Sequence, residues 1–387
     1  MIIAITTFFQ SQDNYGQLLQ AYALQQTIMK IGHYPYIIRY GFHEYLKPVH
    51  TPFIQIPSVP PPPPSFWEHI HWPWKHRTYV TPGSKSNRHF DDFRSQHLNL
   101  SQYVYNTVED LRKYPPVADC YLTGSDQVWA QLLSKENNKT FFLDFGPKEL
   151  KRIAYAPSFA INEYPTELCD ILAHELAKFD ALSVRELSGV EICHKVGYEA
   201  KLVLDPTLLL AAHAYIKLSQ ESQPISSKKY CFVYHVNVSS PEELYWEKFH
   251  QYNKGKGLKA YAVHANQSQN ENIEFLDNAE YIYPNIQEWI AWIRNAQYVL
   301  TSSFHGMIFS ILLHKPFAIC LRTKSMFAGN DRVTTLLSSL GLENRIVTRE
   351  SPVNDIIQQR TNWKAVDRRL QALRLESIDF LKKALQF

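Results

Sequence analysis

Hydrophobic positions near the N-terminus come in unbroken blocks. Ile2 to Phe8 is a continuous apolar and β-branched run, the pattern of a strand covered on both faces. A polar loop, Gln10 to Gly16, follows. From Gln17 to Lys30, Leu18, Ala21, Tyr22, Ile28 and Met29 recur at helical spacing, and Gly32 is placed to end the helix. Tyr36 to Tyr40 reads as the next strand. A strand, a helix and a second strand predict a βαβ unit opening a parallel sheet. Its first loop then lies at the carboxyl edge of the sheet, where open α/β sheets bind ligands.

The same blocks recur downstream. Strands are predicted at Val117 to Thr123, Arg152 to Tyr155, Leu182 to Val184 and Lys201 to Leu204, with a helix over Glu167 to Phe179. Asp205-Pro206 reads as a boundary, because a proline disfavours helical geometry in the residue before it. The polar stretch Ser219 to Lys229 reads as a linker or loop. A second set of strands is predicted at Tyr230 to Val236, Leu258 to Val263, Tyr298 to Thr301 and Phe317 to Leu321. Helices are predicted at Pro241 to Asn253, Ile286 to Ala296 and Gly306 to Leu313, and Trp363 to Leu385 is a long amphipathic helix. The chain therefore reads as an α/β protein of two Rossmann-like domains, 1–210 and 211–360, facing each other across a cleft. A proline-rich and aromatic insertion, 56–80, interrupts the first domain. It carries five prolines in a row from Pro60, then Phe66, Trp67, His69, His71, Trp72, Trp74, Lys75, His76, Arg77 and Tyr79. The prolines exclude helix and inner strand there.

Length and composition agree with two domains. The chain has 387 residues, 45% of them apolar and 20% charged, which excludes wholesale disorder. Forty basic residues against 37 acidic ones do not describe a protein that coats nucleic acid. Cys120, Cys169, Cys193, Cys231 and Cys320 are scattered and include no CxxC pair, so neither a disulfide framework nor a structural zinc site follows and a reduced, cytoplasmic compartment fits best. The run Ile2 to Phe9 is too short and lacks the basic lead-in of a signal peptide. Met307 to Leu321 is broken by His314, Lys315 and Pro316 and does not make a spanning helix.

Four strand ends carry candidate chemistry. In Thr301-Ser302-Ser303-Phe304-His305-Gly306 a strand passes through a tight loop into a helix. Serines there can cap the helix, its exposed amides favour an anion, and His305 sits at the mouth. His305 can equally be a packed loop histidine. No acidic residue stands between His305 and Asn330, whereas Lys315, Arg322 and Lys324 do, with Arg332 beyond. Such a pocket suits a compact phosphate or carboxylate donor better than a ribose. Lys315 is the first of these to assign to a solvated face. In Thr123-Gly124-Ser125-Asp126-Gln127-Val128-Trp129, Gly124 permits a sharp turn presenting Ser125, Asp126 and Gln127, and Trp129 can stack on a sugar ring. The competing reading is a helix cap with a core tryptophan. Asp13-Asn14-Tyr15-Gly16 lacks the glycine set of a dinucleotide fold. Arg185, in Ser183-Val184-Arg185-Glu186, can clamp an anion in bidentate fashion or pair with an acid.

Taken in order, these stretches resemble the polysaccharide pyruvyl transferase family. The resemblance rests on Asn14-Tyr15-Gly16 with Leu18 to Gln25, Gly124 to Trp129, Ser183 to Glu186, Asp205-Pro206-Thr207-Leu208-Leu209, and Ser302 to Gly306, and it runs from the first strand to about residue 345. Only the insertion 56–80 lacks a counterpart. The resemblance implies a GT-B-like fold and transfer of pyruvate from phosphoenolpyruvate onto two hydroxyls of a sugar as a cyclic ketal. It implies an acceptor side in 1–210, a donor side in 211–360, and a final helix, 361–387, that packs back on the first domain. Arg185 and His305 stand at the family's positions for the donor. Some members carry an arginine two residues before the histidine, where this chain has Ser303; the missing charge is then expected from Arg332, Lys324 or Arg322, in that order.

The expected donor set is Arg185, His305, Ser303, Phe304, Arg332, Lys324 and Arg322, and the expected acceptor set is Asn14, Tyr15, Gly16, Ser125, Gln127 and Trp129. His305 is expected to donate the proton or stabilise phosphate, and Asp126 to activate the hydroxyl. Phosphoenolpyruvate enters as substrate; no cofactor or metal is expected, since no carboxylates cluster to hold one. Tryptophans beside Lys75, His76 and Arg77 suggest peripheral contact of 66–79 with the inner face of the plasma membrane and a lipid-linked acceptor; a packed lid is the alternative. Two rival functions remain: a GT-B nucleotide-sugar glycosyltransferase, which needs a ribose-binding acid after the His305 helix, and a non-catalytic sugar-binding protein of the same fold.

Overall fold

The structure is a computed structural model that describes residues 1–41, 87–130, 132–133, 135–219, 228–265, 274–322 and 329–386. The insertion 56–80, most of the 219–229 linker and Lys324 lie outside the described residues.

Two parallel sheets organise the chain. The first contains β1 (Ile2–Thr6), β2 (Tyr34–Tyr40), β3 (Leu100–Tyr105), β4 (Cys120–Thr123), β5 (Lys151–Ala154), β6 (Ala181–Val184) and β7 (Lys201–Leu202), in the order β3-β2-β1-β4-β5-β6-β7. The second contains β8 (Tyr230–Val236), β9 (Lys259–Ala265), β10 (Ala279–Tyr281), β11 (Tyr298–Thr301), β12 (Phe317–Cys320) and β13 (Ile346–Val347), in the order β10-β9-β8-β11-β12-β13. Both orders reverse beside their first strand, the doubly wound arrangement that opens a crevice at the carboxyl ends of the strands. The structure is thus an α/β fold of two Rossmann-like domains in a GT-B-like arrangement.

Strand burial explains the apolar blocks. Ile3, Ala4 and Ile5 of β1 and Cys231, Phe232, Val233 and Tyr234 of β8 are all buried, because helices cover both faces. One apolar cluster fills the outer face of the first sheet around Tyr121, Trp129, Phe142 and Leu172. Another fills the corresponding face of the second sheet around Val233, Phe249 and Leu300. A third runs without interruption from Leu18, Leu19 and Leu24 of the helix Tyr15–Lys30 to Tyr234, Trp289 and Phe309 of the second domain. The domains therefore share a core.

Tyr15 pins that shared core. Its ring stacks on Trp289 at 5.0 Å and 10°, and its hydroxyl donates to the Pro284 carbonyl at 2.6 Å. The helix Trp363–Ala384 fastens the domains a second time. Its early part meets the second domain through His314 Nε2 and Asp367 Oδ1 at 2.9 Å and through Arg369 Nη1 donating to the Leu340 carbonyl. Further along, Arg374 Nε donates to the Leu208 carbonyl, Ser377 Oγ accepts from the Leu204 amide, and Phe380 lies against Tyr155.

Candidate active site

Arg185 follows β6 and Asp205 follows β7, so parallel pairing of these strands brings two residues twenty positions apart to one sheet edge. Arg185 Nη1 donates to Asp205 Oδ2 at 2.7 Å, and Nη2 donates to Asp126 Oδ1 at 3.1 Å. The Arg185 and Asp205 side chains are at most 1% exposed. Removing one member of such a buried network costs about 3–5 kcal/mol, because its partner is left charged and unpaired. Asp205 also faces His305 across the cleft, with Nε2 3.6 Å from Oδ2, and its Oδ1 accepts from the Thr207 amide and hydroxyl. Burial alone would raise the Asp205 carboxyl; His305, Arg185 and Thr207 outweigh it and hold the group well below the usual carboxylate range.

Asp126 is placed by an unusual turn after β4. Gly124 has φ +109°, its bond to Ser125 is cis, and Asp126 has φ +67°. A side chain at 124 would overlap the Tyr155 carbonyl. The turn is tied down by Ser125, whose hydroxyl donates to the Ala156 carbonyl at 2.9 Å and lies 3.2 Å from Asp205 Oδ2, and whose amide donates to Gln20 Oε1.

The second domain contributes the helix Phe304–Leu312, buried along its whole length. Ser303 caps it by accepting from the Gly306 amide at 3.3 Å. Arg185 and Arg332 both lie over the Phe304 ring, with Cζ 5.1 and 5.3 Å from its centroid. Two like charges thus share one ring. Burial, then the charge of Arg185, pushes the Arg332 guanidinium down to about 10. Burial likewise raises the Glu186 carboxyl, with Arg185 opposing it. Arg185 Nε, Glu186 Oε2, His305 Nε2 and Arg332 Nε are all buried without a hydrogen-bond partner. Buried polar atoms are normally satisfied, and three of these four belong to cationic or protonatable nitrogen groups. The arrangement suits an anion that both guanidiniums and the imidazole can reach.

Gly16 sets the position of His305. It lies in the first turn of the helix Tyr15–Lys30, and a Cβ there would stand 2.7 Å from His305 Cβ and closer still to the ring. The glycine is therefore a contact surface between the domains.

The other expected site residues divide sharply. Gln127 is half-buried and approaches Gly329, beside Arg332. Arg322 is half-buried, and its backbone exchanges two hydrogen bonds with the Asn330 side chain. Lys315 lies at the far end of the His305 helix in a groove with Arg294 and Arg374, away from the cleft. Trp129 is a correction: it is fully buried, stacks on Phe142 at 5.1 Å and donates its indole N–H to the Phe141 carbonyl, so its ring cannot stack on a sugar. Tyr15 is a second correction, since its faces and hydroxyl are spent on the domain interface. Ser125 is a third, because its hydroxyl is consumed in holding the turn. Asn14 precedes the helix without capping it by its side chain. Asp205, read from sequence as a boundary, is the centre of the network, and Glu186 also belongs to it. The signal for Asp205 was its place at a strand end in the same motif as Pro206.

Among the described residues, no group of three or more His, Cys, Asp or Glu side chains is placed to hold a metal, and no helix is long and apolar enough to cross a membrane.

Comparison with solved structures agrees with the fold. A UDP-GlcNAc 2-epimerase from Methanocaldococcus jannaschii, in complex with UDP-GlcNAc and UDP, is 14% identical with a TM-score of 0.52, covering 97% of this chain and 100% of that one. A UDP-N-acetylglucosamine 2-epimerase from Rickettsia bellii is 10% identical with a TM-score of 0.51, covering 99% and 98%. At such identities the likeness concerns the fold alone. No curated protein matches the chain. The family model for polysaccharide pyruvyl transferase matches residues 14–325, a span that holds Gly16, Asp126, Arg185, Asp205 and His305, and the chain belongs to that family.

Proposed function

We propose that the protein transfers pyruvate from phosphoenolpyruvate onto two hydroxyls of a sugar, forming a cyclic ketal and releasing phosphate, in the assembly of a surface polysaccharide such as a capsule. The observation that carries this reading is the pair of guanidiniums, Arg185 and Arg332, over the ring of Phe304, the neighbour of His305 in the chain, with Arg332 Nε buried and unpaired. Phosphoenolpyruvate brings a phosphate and a carboxylate a few bonds apart; Arg332 can take one of them by a charge-assisted hydrogen bond, while Arg185, held by Asp205 and Asp126, adds its charge to the site. Arg332 supplies the charge absent at Ser303.

Protonation of the enol methylene makes the central carbon electrophilic. One sugar hydroxyl adds to that carbon, the carbon–oxygen bond to phosphate breaks, and the second hydroxyl closes the ring. The two hydroxyl protons end one on the new methyl group and one on phosphate, so no net proton is needed. His305 reaches the donor as proton donor or phosphate stabiliser, and Asp205 orients it. Asp126 accepts the hydroxyl proton.

Incubation with phosphoenolpyruvate and a panel of galactosides, glucosides and mannosides should release phosphate, and H305A should abolish release while keeping the wild-type melting temperature. An active H305A removes the imidazole from the mechanism. Stabilisation by UDP-sugars and not by phosphoenolpyruvate overturns the donor assignment. Contact with a membrane through 66–79, which would bring the enzyme to a lipid-linked acceptor, predicts loss of liposome binding on deletion of 60–78; unchanged binding removes it.

A further inference from the structure

The cleft has two halves of opposite character. Behind the ends of β4–β7 and β11–β12 it holds Asp126, Arg185, Glu186, Asp205 and Arg332. Behind the ends of β8–β10 it holds His235, His264, Tyr281 and Tyr283. His235 and His264 are register partners on adjacent parallel strands, with ring centroids 6.3 Å apart. His235 Nε2 meets the Tyr281 hydroxyl at 3.3 Å, and the His264 ring packs edge-on to Tyr283 at 5.8 Å, whose hydroxyl donates to the Glu274 carboxylate and whose ring lies under the Arg88 guanidinium, with Cζ 5.4 Å from the centroid. His264 is 6% exposed, yet both of its ring nitrogens lack a hydrogen-bond partner. A buried imidazole with neither nitrogen satisfied is rare in a finished core.

Arg88 joins this patch to the site described above. Its Nη1 donates to the Asp13 carbonyl at 2.9 Å and to the His264 carbonyl at 2.7 Å, and Asp13 begins the loop whose Gly16 abuts His305. Strand spacing gives the scale: β9 is two strands from β11, about 10 Å, roughly the width of one or two sugar rings.

We propose that His235, His264, Tyr281 and Tyr283 form the saccharide acceptor subsite, so that this imidazole- and tyrosine-lined part of the second domain, and not the first domain as the resemblance implied, holds the sugar, while the half around Arg185 and Arg332 holds the donor. This rests on the transferase reading and locates its second substrate. The chemistry fits a polyol. A neutral imidazole offers one donor and one acceptor to hydroxyls, and tyrosine rings offer apolar faces to the C–H side of a sugar. Burial, reinforced by Arg88, pushes both imidazoles down to about 3, which keeps them neutral in the working range. An anionic donor gains nothing from neutral rings, and a neutral sugar gains nothing from paired guanidiniums.

The test uses the full chain with His264→Ala, and with His264→Phe as a variant that keeps an aromatic ring and removes only the two unpaired ring nitrogens. Saturation-transfer NMR with nitrophenyl galactoside, glucoside and mannoside is run without phosphoenolpyruvate, and phosphate release is then measured against saccharide concentration. The expected result is saturation transfer to at least one glycoside, lost in His264→Ala, with saccharide KM raised about tenfold per removed hydrogen bond and the melting shift from phosphoenolpyruvate unchanged. Unchanged saccharide KM and saturation transfer in both variants overturns the assignment, as does a wild-type protein that binds UDP but no glycoside. Saccharide binding that depends on His264 in a protein that releases no phosphate upholds the subsite and removes the donor reading instead. If His264→Ala fails to fold, His264→Phe alone decides by the same readouts.

Discussion

Gly16→Ala separates positioning from stability in one substitution. Position 16 lies in the first turn of a helix and needs no positive φ, so alanine should favour the helix by about 0.5–1 kcal/mol. The same methyl would stand 2.7 Å from His305 Cβ, where carbon atoms prefer about 3.5–4.0 Å. Rotating the imidazole cannot relieve this overlap, because Cβ does not move with χ1. The helix Phe304–Leu312 must retreat by about 1 Å, and it is buried along its whole length, so that shift disturbs the His305–Asp205 pair, already at 3.6 Å. Misplacement of a catalytic group by about 1 Å costs on the order of 100-fold in rate, or about 2.7 kcal/mol. The assay is phosphate release together with calorimetric melting and imidazole 15N shifts. A reduction of about 100-fold with less than a few degrees' change in Tm is expected. Full activity in a folded G16A protein would show that His305 needs no support from the first domain, and the positional argument would fall.

Three further outcomes follow from buried groups. Because Glu186 has its carboxyl raised in the folded state, its ionisation opposes folding above the unfolded value near 4.3; the stability of E186Q relative to wild type should rise between pH 4 and pH 8, as read by Tm at both pH values, and an equal difference at both would contradict this. His235 and His264, pushed down to about 3, leave the folded state unprotonated while the unfolded chain takes up protons below about 6.5; stability should therefore be full above 6.5 and fall by about 1.4 kcal/mol per pH unit per histidine toward 3, a slope that urea titrations of H264F should show reduced. Tyr15→Phe removes the bond to the Pro284 carbonyl and should cost about 1 kcal/mol, with faster amide exchange around residues 286–289; unchanged exchange would mean that the hydroxyl adds nothing to the stacking of this ring on Trp289.

The strands that read best from sequence are those covered on both faces. β8 and β11 have the predicted limits, since an apolar block has only one comfortable environment. Three of the four edges were invisible, β7 being the exception. β3 is Leu-Ser-Gln-Tyr-Val-Tyr, half polar because an edge strand is half solvated, and β10 and β13 have three and two residues, too few for any period. The site shows the same division. Arg185, Asp126 and His305 were legible because strand ends carry ligands in this fold class. Asp205 was legible only as a strand-end residue in the motif with Pro206; its place at the centre of the network depends on β7 pairing with β6, which no local pattern records. Trp129 and Tyr15 were assigned to a sugar because an aromatic residue beside a strand end looks the same in sequence whether it faces the cleft or the interior. The Gly16 contact with His305 spans 289 positions and becomes visible only once the domains meet.

The return of the helix Trp363–Ala384 to Leu204 and Leu208 has a consequence for biogenesis. On the ribosome, the first sheet is synthesised long before the segment that covers its Tyr155 side, so the nascent N-terminal half waits with that apolar surface open while the second domain is made. Chaperone demand should peak in that interval, and a stop codon placed before residue 363 should yield an aggregation-prone product even though every strand of both sheets is present.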